Sequence, residues 1–307
     1  MTIDQGARAS ASRGLLFVML AAVSWGTVGV TTKLLYRSSD TTALSIGFLR
    51  LAVAVPALLL LGWGHTRRRL LLLSRRDLAL ICAIGAMMAL YQVCYFSAIP
   101  RVGVAIASLI TLCTAPVLVA LLSAVVLRER PTLRVLTPLG VALLGTVLLV
   151  GTGSANGSGG SAVAGTLLAL VSSLGYAVVT LCGRSLSPRC HPLQTLALGF
   201  AIGALLLLAT TLPAGPHLRY TAQGWILVAY LGIVPTALAY VLFVRGLRSV
   251  PATAATIATL LEPLTSTILA WLLFGERLGR LGAWGGLLLG AAMWMLVLDR
   301  SPSPASD

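Results

Sequence analysis

Acidic residues are scarce in this chain: eight Asp and Glu stand against 22 Lys and Arg in 307 residues. Charge of either sign makes up 10% of the residues, where an ordinary soluble domain carries roughly 25%. That scarcity excludes a solvated globular surface. No G-x4-G-K-[S/T] loop is present, so ATP-driven pumping has no phosphate cradle here. The three histidines (65, 191, 217) all fall in connections, and the five cysteines (82, 94, 113, 182, 190) show no C-x2-C spacing. A disulfide framework or a zinc site is therefore not expected; the cysteines read as small, buried, reduced residues. No metal and no cofactor is anticipated. Alternating segments of about ten residues, which a membrane barrel needs, are missing too. An enzyme working inside the membrane is disfavoured, because no His/Cys/Asp cluster falls within the apolar runs. The rings of like charge that suit a channel are also absent.

What the chain does have is hydrocarbon. Hydrophobic types make up 58% of it, and the mean hydropathy is +0.96. A bilayer core about 30 Å thick takes roughly 20 apolar residues per helix. Ten runs of about that size can be counted: 14–33, 42–63, 78–99, 102–127, 133–151, 162–182, 193–213, 222–244, 252–274 and 281–298. The fold class expected is an all-α integral membrane protein with ten transmembrane helices.

A net charge of +14 would suggest a nucleic-acid partner in a soluble protein. Here the bases sit in the connections, and the positive-inside rule accounts for them without nucleic acid. With the N-terminus in the cytoplasm, the inside segments hold 15 bases and the outside segments hold six, Lys33, Arg37, Arg101, Arg219, Arg277 and Arg280. That bias predicts a multi-pass protein of the cell inner (plasma) membrane with both termini cytoplasmic. The first run is longer than a signal peptide's apolar core and nine more follow it, so it reads as a retained helix. The basic stretch HTRRRLLLLSRRD (65–77) reads as an orientation signal that touches anionic lipid.

The chain also repeats itself. TLCTAPVLVALLSAVVLRERPT (111–132) aligns with ATLLEPLTSTILAWLLFGERLG (258–279) at an offset of 147, which pairs Pro116 with Pro263, Glu129 with Glu276 and Arg130 with Arg277. Earlier in each half the offset is 151, which pairs Trp25 with Tyr176 and Lys33 with Arg184. Five helices per half is an odd number, so the second half enters the membrane from the opposite side. That is an inverted-topology repeat, common among secondary transporters. The expected organisation is a first repeat at 14–151, a Gly/Ser-rich linker at 152–161 and a second repeat at 162–298.

With Trp25–Gly26, Arg50, Leu261–Glu262–Pro263 and the two Pro-x12-Glu-Arg blocks in this order, the chain resembles the drug/metabolite transporter superfamily, specifically its ten-helix members built of two EamA repeats. The resemblance covers about 14–298. It implies export of a small metabolite, amino acid or drug across the inner membrane, often in exchange for protons. Tyr176 departs from the pattern, since a Trp is frequent there in second repeats. Facilitative or uptake transport of a metabolite is the alternative; a non-transport membrane subunit is a weaker one.

Most acids lie in tails, connections or helix ends; Glu262 alone falls mid-span, and Arg50 is the one base well inside a span. Placing an ionisable group mid-membrane costs about 3 kcal/mol on insertion scales, so such a group faces a cavity or a partner. Desolvation disfavours a charged carboxylate, which makes Glu262 the candidate proton-coupling or cation-binding acid. The competing reading is structural, with Glu262 paired to Arg50 or bonded to backbone groups freed by Pro263. Pro263 and Pro116 are expected to kink their helices beside a cavity; the bland alternative is that they only shape packing. Tyr91 and Tyr95 share a helix face, with Gln92 beside them. Together with Trp25, Tyr176 and Tyr240 they are candidates to line a substrate cavity, where aromatic walls suit an amphipathic or cationic solute. Each could equally pack between helices. Arg50 could bind a substrate carboxylate or serve structure. The Glu-Arg pairs read as structural, with the Glu capping or pairing locally. Gly282, Gly286 and Gly290 give a small-residue face on the tenth helix, for tight packing within the fold or a homodimer contact. The partners expected are a small-molecule substrate and the lipid bilayer.

Overall fold

The computed structural model describes residues 2–61, 74–126, 133–153, 159–187, 190–214, 219–250 and 252–299. Glu129 and Arg130, most of the 65–77 basic stretch and the middle of the Gly/Ser-rich linker lie outside the described residues. Each of the ten apolar runs is helical. The first run comprises α1 (Thr2–Gly26) and α2 (Val28–Ser38), parted at Thr27. Next come α3 (Ala43–Leu61), α4 (Arg75–Val102), α5 (Val104–Val126) and α6 (Leu133–Gly153). The second half opens with α7 (Gly159–Leu186) and α8 (Pro192–Thr211). The eighth run is α9 (Ala222–Gly232), a π-helical stretch (Ile233–Leu238) and α10 (Ala239–Gly246). The ninth is α11 (Ala252–Thr259) and α12 (Leu261–Phe274), and the tenth is α13 (Arg280–Asp299). Seven of the described helices are long and apolar enough to cross a membrane.

Local sequence sets the helix ends. Ser74 and Asp77 form a capping box at the start of α4, each side chain accepting from the other's backbone N–H. Thr221 accepts from the N–H of Gly224 at 3.1 Å and starts α9. Two departures from regular helix sit at prolines. Pro263 removes a donor, and the ninth run breaks at Leu260, three residues before it. Pro235 lies inside the π-helical stretch. Pro116, by contrast, sits within an uninterrupted α5.

The contacts between halves come in matched pairs. α4 packs on α7, and α10 packs on α1; α4 also packs on α8, and α9 on α3. α3 faces α8, α5 faces α12, and α6 faces α13. Exchanging first half for second maps each pairing in this set onto another or onto itself. In lipid, apolar burial does not drive helices together, so close packing and hydrogen bonds must. Small residues supply the closeness: a Cβ on Gly85 would lie 2.7 Å from the carbonyl oxygen of Gly199, and one on Gly203 would lie 2.9 Å from that of Gly85. Hydroxyls supply the bonds, as from Ser172 to the carbonyl of Tyr91 (2.9 Å) and between Thr114 and Ser173 (2.7 Å).

Three expectations change. The tight contact of α13 is made by Gly285, whose carbonyl would lie 2.8 Å from a Cβ on Gly145 of α6. Of the expected face, Gly286 meets only Leu109 and Gly290 has nothing within 4 Å. One close backbone approach to α6 thus falls one position before Gly286, where α13 turns Gly285 toward Gly145. Cys82 is exposed rather than buried, and the other four cysteines are buried or half-buried; Cys82 lies on the outer face of α4. Glu276 does not act locally. It pairs with Lys33, 243 residues earlier, at 2.5 Å.

Substituting Gly85→Ala forces the α4 and α8 backbones apart and is expected to destabilise the protein by about 1–3 kcal/mol. Gly290→Ala, with open space around its Cβ, should not. Thermal unfolding of the detergent-solubilised variants measures the difference.

Candidate functional site

Between the two halves lies a small polar cavity of about 20 Å³, enough for roughly one water. Trp25, Arg50, Tyr91, Gln92, Tyr95, Tyr176, Tyr240 and Glu262 all line it. These residues come from α1, α3, α4, α7, α10 and α12, so no two adjacent helices could build it. A wider chamber of about 290 Å³ shares Trp25, Leu112, Tyr176 and Glu262 with it and adds Pro116, Thr259 and Pro263. A third space of about 580 Å³ shares Tyr176 and Tyr240 with the first and Phe243 and Leu247 with the second. It reaches Arg184, His191 and Arg248, at the ends of helices on one face of the bundle. The linings of these spaces thus overlap stepwise from the polar centre toward that face.

Arg50 is 6% exposed. Its Nε donates to Thr236 Oγ1 at 2.8 Å, and its Nη1 lies 3.5 Å from Gln92 Oε1. Thr236 in turn donates to the carbonyl of Leu231 at 2.7 Å, five residues back, as the π-helical stretch allows. A regular helix would turn Thr236 elsewhere. The guanidinium also lies 6.0 Å from the centre of the Phe96 ring. Close passage of α9 over α3 seats this arrangement: a Cβ on Gly232 would lie 2.6 Å from Val53 and 3.1 Å from the carbonyl of Arg50.

Glu262 makes no ion pair with Arg50, and its carboxylate has no hydrogen-bond partner among the described residues. Two donors on the same cavity are also unsatisfied within the protein, Trp25 Nε1 and Gln92 Nε2. Buried polar groups are ordinarily partnered. A cavity with a guanidinium, two donors unbonded within the protein and a carboxyl is suited to a polar solute or water.

Aromatic rings wall this polar centre. Trp25 packs at 5.1 Å from both Tyr240 and Phe243, and Tyr91 lies 5.5 Å from Tyr176 and stacks on Tyr95 at 6.2 Å. Tyr95 bonds Ser108 at 2.6 Å, and Ser108 bonds Ser266 at 2.7 Å. This buried hydroxyl chain ties α4, α5 and α12 beneath the cavity. Thr236, Ser108 and Ser266 were not singled out from sequence. Hydroxyl residues are ordinary in membrane helices, and only Pro235, mid-run, hinted at an irregular turn before Thr236. Among the described residues no group of His, Cys, Asp or Glu is placed to hold a metal ion.

Comparison with known proteins fits this geometry. The EamA-like transporter family matches residues 12–151 and again 163–298. The transporter YwfM of Bacillus subtilis is 32% identical over 94% of this chain and 94% of its own. The inner membrane transporter YicL of Salmonella typhimurium is 26% identical, covering 94% of this chain and 97% of its own. The pseudopaline exporter CntI of Pseudomonas aeruginosa is 30% identical, covering 90% and 93%. A solved crystal structure superimposes with a TM-score of 0.65 over 94% of this chain and 97% of that one, at 20% identity, which shows a common fold. This multi-pass membrane protein belongs to the EamA-like transporter family.

Proposed function

We propose that this chain is a secondary active transporter that exports a small zwitterionic or amphipathic metabolite across the inner membrane in exchange for protons. The observation that carries it is the cavity between the halves, where Arg50 and Glu262 face the same space without neutralising each other. Arg50, held by Thr236, offers a pole for a carboxylate, and the free Gln92 and Trp25 donors add to it. Glu262 offers a pole for an ammonium or a proton, with aromatic faces beside it. An ammonium and a proton compete for one carboxyl, so each displaces the other, and that competition is the coupling.

The rest follows from orientation. With both termini cytoplasmic, as the positive-inside count favours, the face carrying Arg184 and Arg248 is the cytoplasmic one, so the cavity opens inward. Two repeats of opposite topology can exchange conformations, and the exchange would open the opposite face. The interrupted ninth run, broken at Leu260 beside Glu262, gives that exchange a place to bend. CntI is named as an exporter of pseudopaline, in keeping with an outward direction for a metabolite here.

Proteoliposomes with an imposed pH gradient test the coupling. A panel of amino acids and organic cations is screened for substrate-dependent proton flux, with wild type beside Glu262→Gln. Flux that vanishes in the variant while substrate exchange persists is the expected outcome; equal flux in both removes Glu262 from the coupling role. The carboxylate pole has its own test. Thr236→Val releases Arg50 and is expected to raise the half-saturating concentration of carboxylate-bearing substrates about tenfold, equivalent to about 1.4 kcal/mol. Thr236→Ser should restore it, and substrates without a carboxylate should be little affected.

A further inference from the structure

Three elements, α2, α5 and the end of α12, meet at the end of the bundle opposite the cavity mouth. Val18 of α1 packs with Val250 and Ala255, near the mouth; Lys33 lies 15 residues further along the same run, on α2. Lys33 Nζ donates to Glu276 Oε1 at 2.5 Å. The same carboxylate accepts from the N–H groups of Val104 (3.1 Å) and Ala105 (3.0 Å), the first turn of α5. Those donors have no partner within their own helix, and the helix dipole favours an anion there. Phe274, at the end of α12, presents its ring to Lys33 at 4.5 Å and to Arg37 at 4.7 Å.

The backbone is bent at two points to make this contact. Among the described residues, the glycines with positive φ are Gly103 (84°) and Gly275 (66°). Gly275 ends α12 and turns the chain so that Glu276 points back across the bundle. Gly103 caps the end of α4, one residue before α5, and a Cβ there would lie 2.9 Å from Glu276 Oε2. Both glycines therefore serve one carboxylate.

Resting on the alternating-access function proposed above, we propose that Lys33, Glu276 and the first turn of α5 form the gate that closes the cavity on this face. The clasp joins α2 and α5 of the first half to the end of α12 in the second half. It is also reversible. The Lys33 and Glu276 side chains keep 22% and 17% of their exposure, so water can take over each charge when they part; a fully buried pair would be stranded by separation. Beneath it the Tyr95–Ser108–Ser266 hydroxyl chain forms a second, inner layer. The opposite face supplies the contrast. At the offset of 151 the counterpart of Lys33 is Arg184, which lines the open mouth.

Cysteine accessibility tests the gate without needing a substrate. The five native cysteines are replaced by alanine, and Val28→Cys places one thiol on the cavity wall between Trp25 and Lys33. A membrane-impermeant maleimide is applied from the clasp side, identified as the side that labels an Asp40→Cys control. Labelling of Val28→Cys should be slow with the clasp intact and at least tenfold faster with Lys33→Ala or Glu276→Ala. Lys33→Arg should stay slow. Reversing the charges, Lys33→Glu with Glu276→Lys, should stay fast, because a lysine has no acceptor for the Val104 and Ala105 amides. Gly103→Ala keeps both charges but crowds the carboxylate, and should also speed labelling; gel filtration confirms that each variant is folded. Equal rates in all variants, or slow labelling in the reversed pair, would overturn the proposal. A Thr180→Cys thiol in the chamber, probed from the other side, reads the inward-open cavity separately. If it does not label, the export mechanism fails while the clasp data stand.

Discussion

Hydrocarbon offers no hydrogen bond, so every polar group carried into it must find a partner in the protein or face a cavity. Much of this structure follows from that constraint. Ser172 and Thr111 donate to carbonyls of neighbouring helices, and Thr114 and Ser173 satisfy each other. These bonds are also what joins the helices, since lipid tails compete fully for apolar surface. Several buried polar groups have no partner within the protein, and those of Trp25 and Gln92 share one cavity with Arg50 and Glu262. The membrane makes that convergence costly, and a transported solute can relieve it.

The two halves are alike in packing but not in regularity. α4 and α5 run unbroken, whereas their counterparts, the eighth and ninth runs, carry a π-helical stretch and a break. At the offset of 147, Thr236 corresponds to Ala89 and Glu262 to Ala115. The regular α4 and α5 have alanine where the eighth and ninth runs have these polar groups. Irregular backbone lets a side chain leave the helix-helix seam and enter the space between repeats. One half supplies Arg50 and Gln92 from regular helices, and the other supplies the residue that aims Arg50 and the acid across from it.

Much of the fold was legible because the membrane imposes a coarse code. Twenty-residue apolar runs can only be helices, and a Pro-x12-Glu-Arg spacing found twice marks a repeat. The candidate site was legible for a related reason: an acid or base mid-span is expensive, so Glu262 and Arg50 stood out against their surroundings. Aromatic neighbours were less distinctive, yet Trp25, Tyr91, Tyr95, Tyr176 and Tyr240 reach the same cavity. Thr236, Ser108 and Ser266 were not visible, because a hydroxyl in a membrane helix usually bonds its own backbone, as Thr146 does.

By itself, then, the sequence determined the class, the number of helical runs, the repeat and the two ionisable residues in the spans. Each depends on composition or on spacing along the chain. The tertiary structure decided the pairings. Arg50 is held by Thr236 and not by Glu262, and Glu276 reaches Lys33 and the first turn of α5. Gly285, rather than Gly286 or Gly290, closely approaches Gly145 of α6. These contacts join residues far apart in sequence, and rotation of a helix by one position is enough to change them. Hydropathy has no term for rotation; only packing of one helix against another sets it.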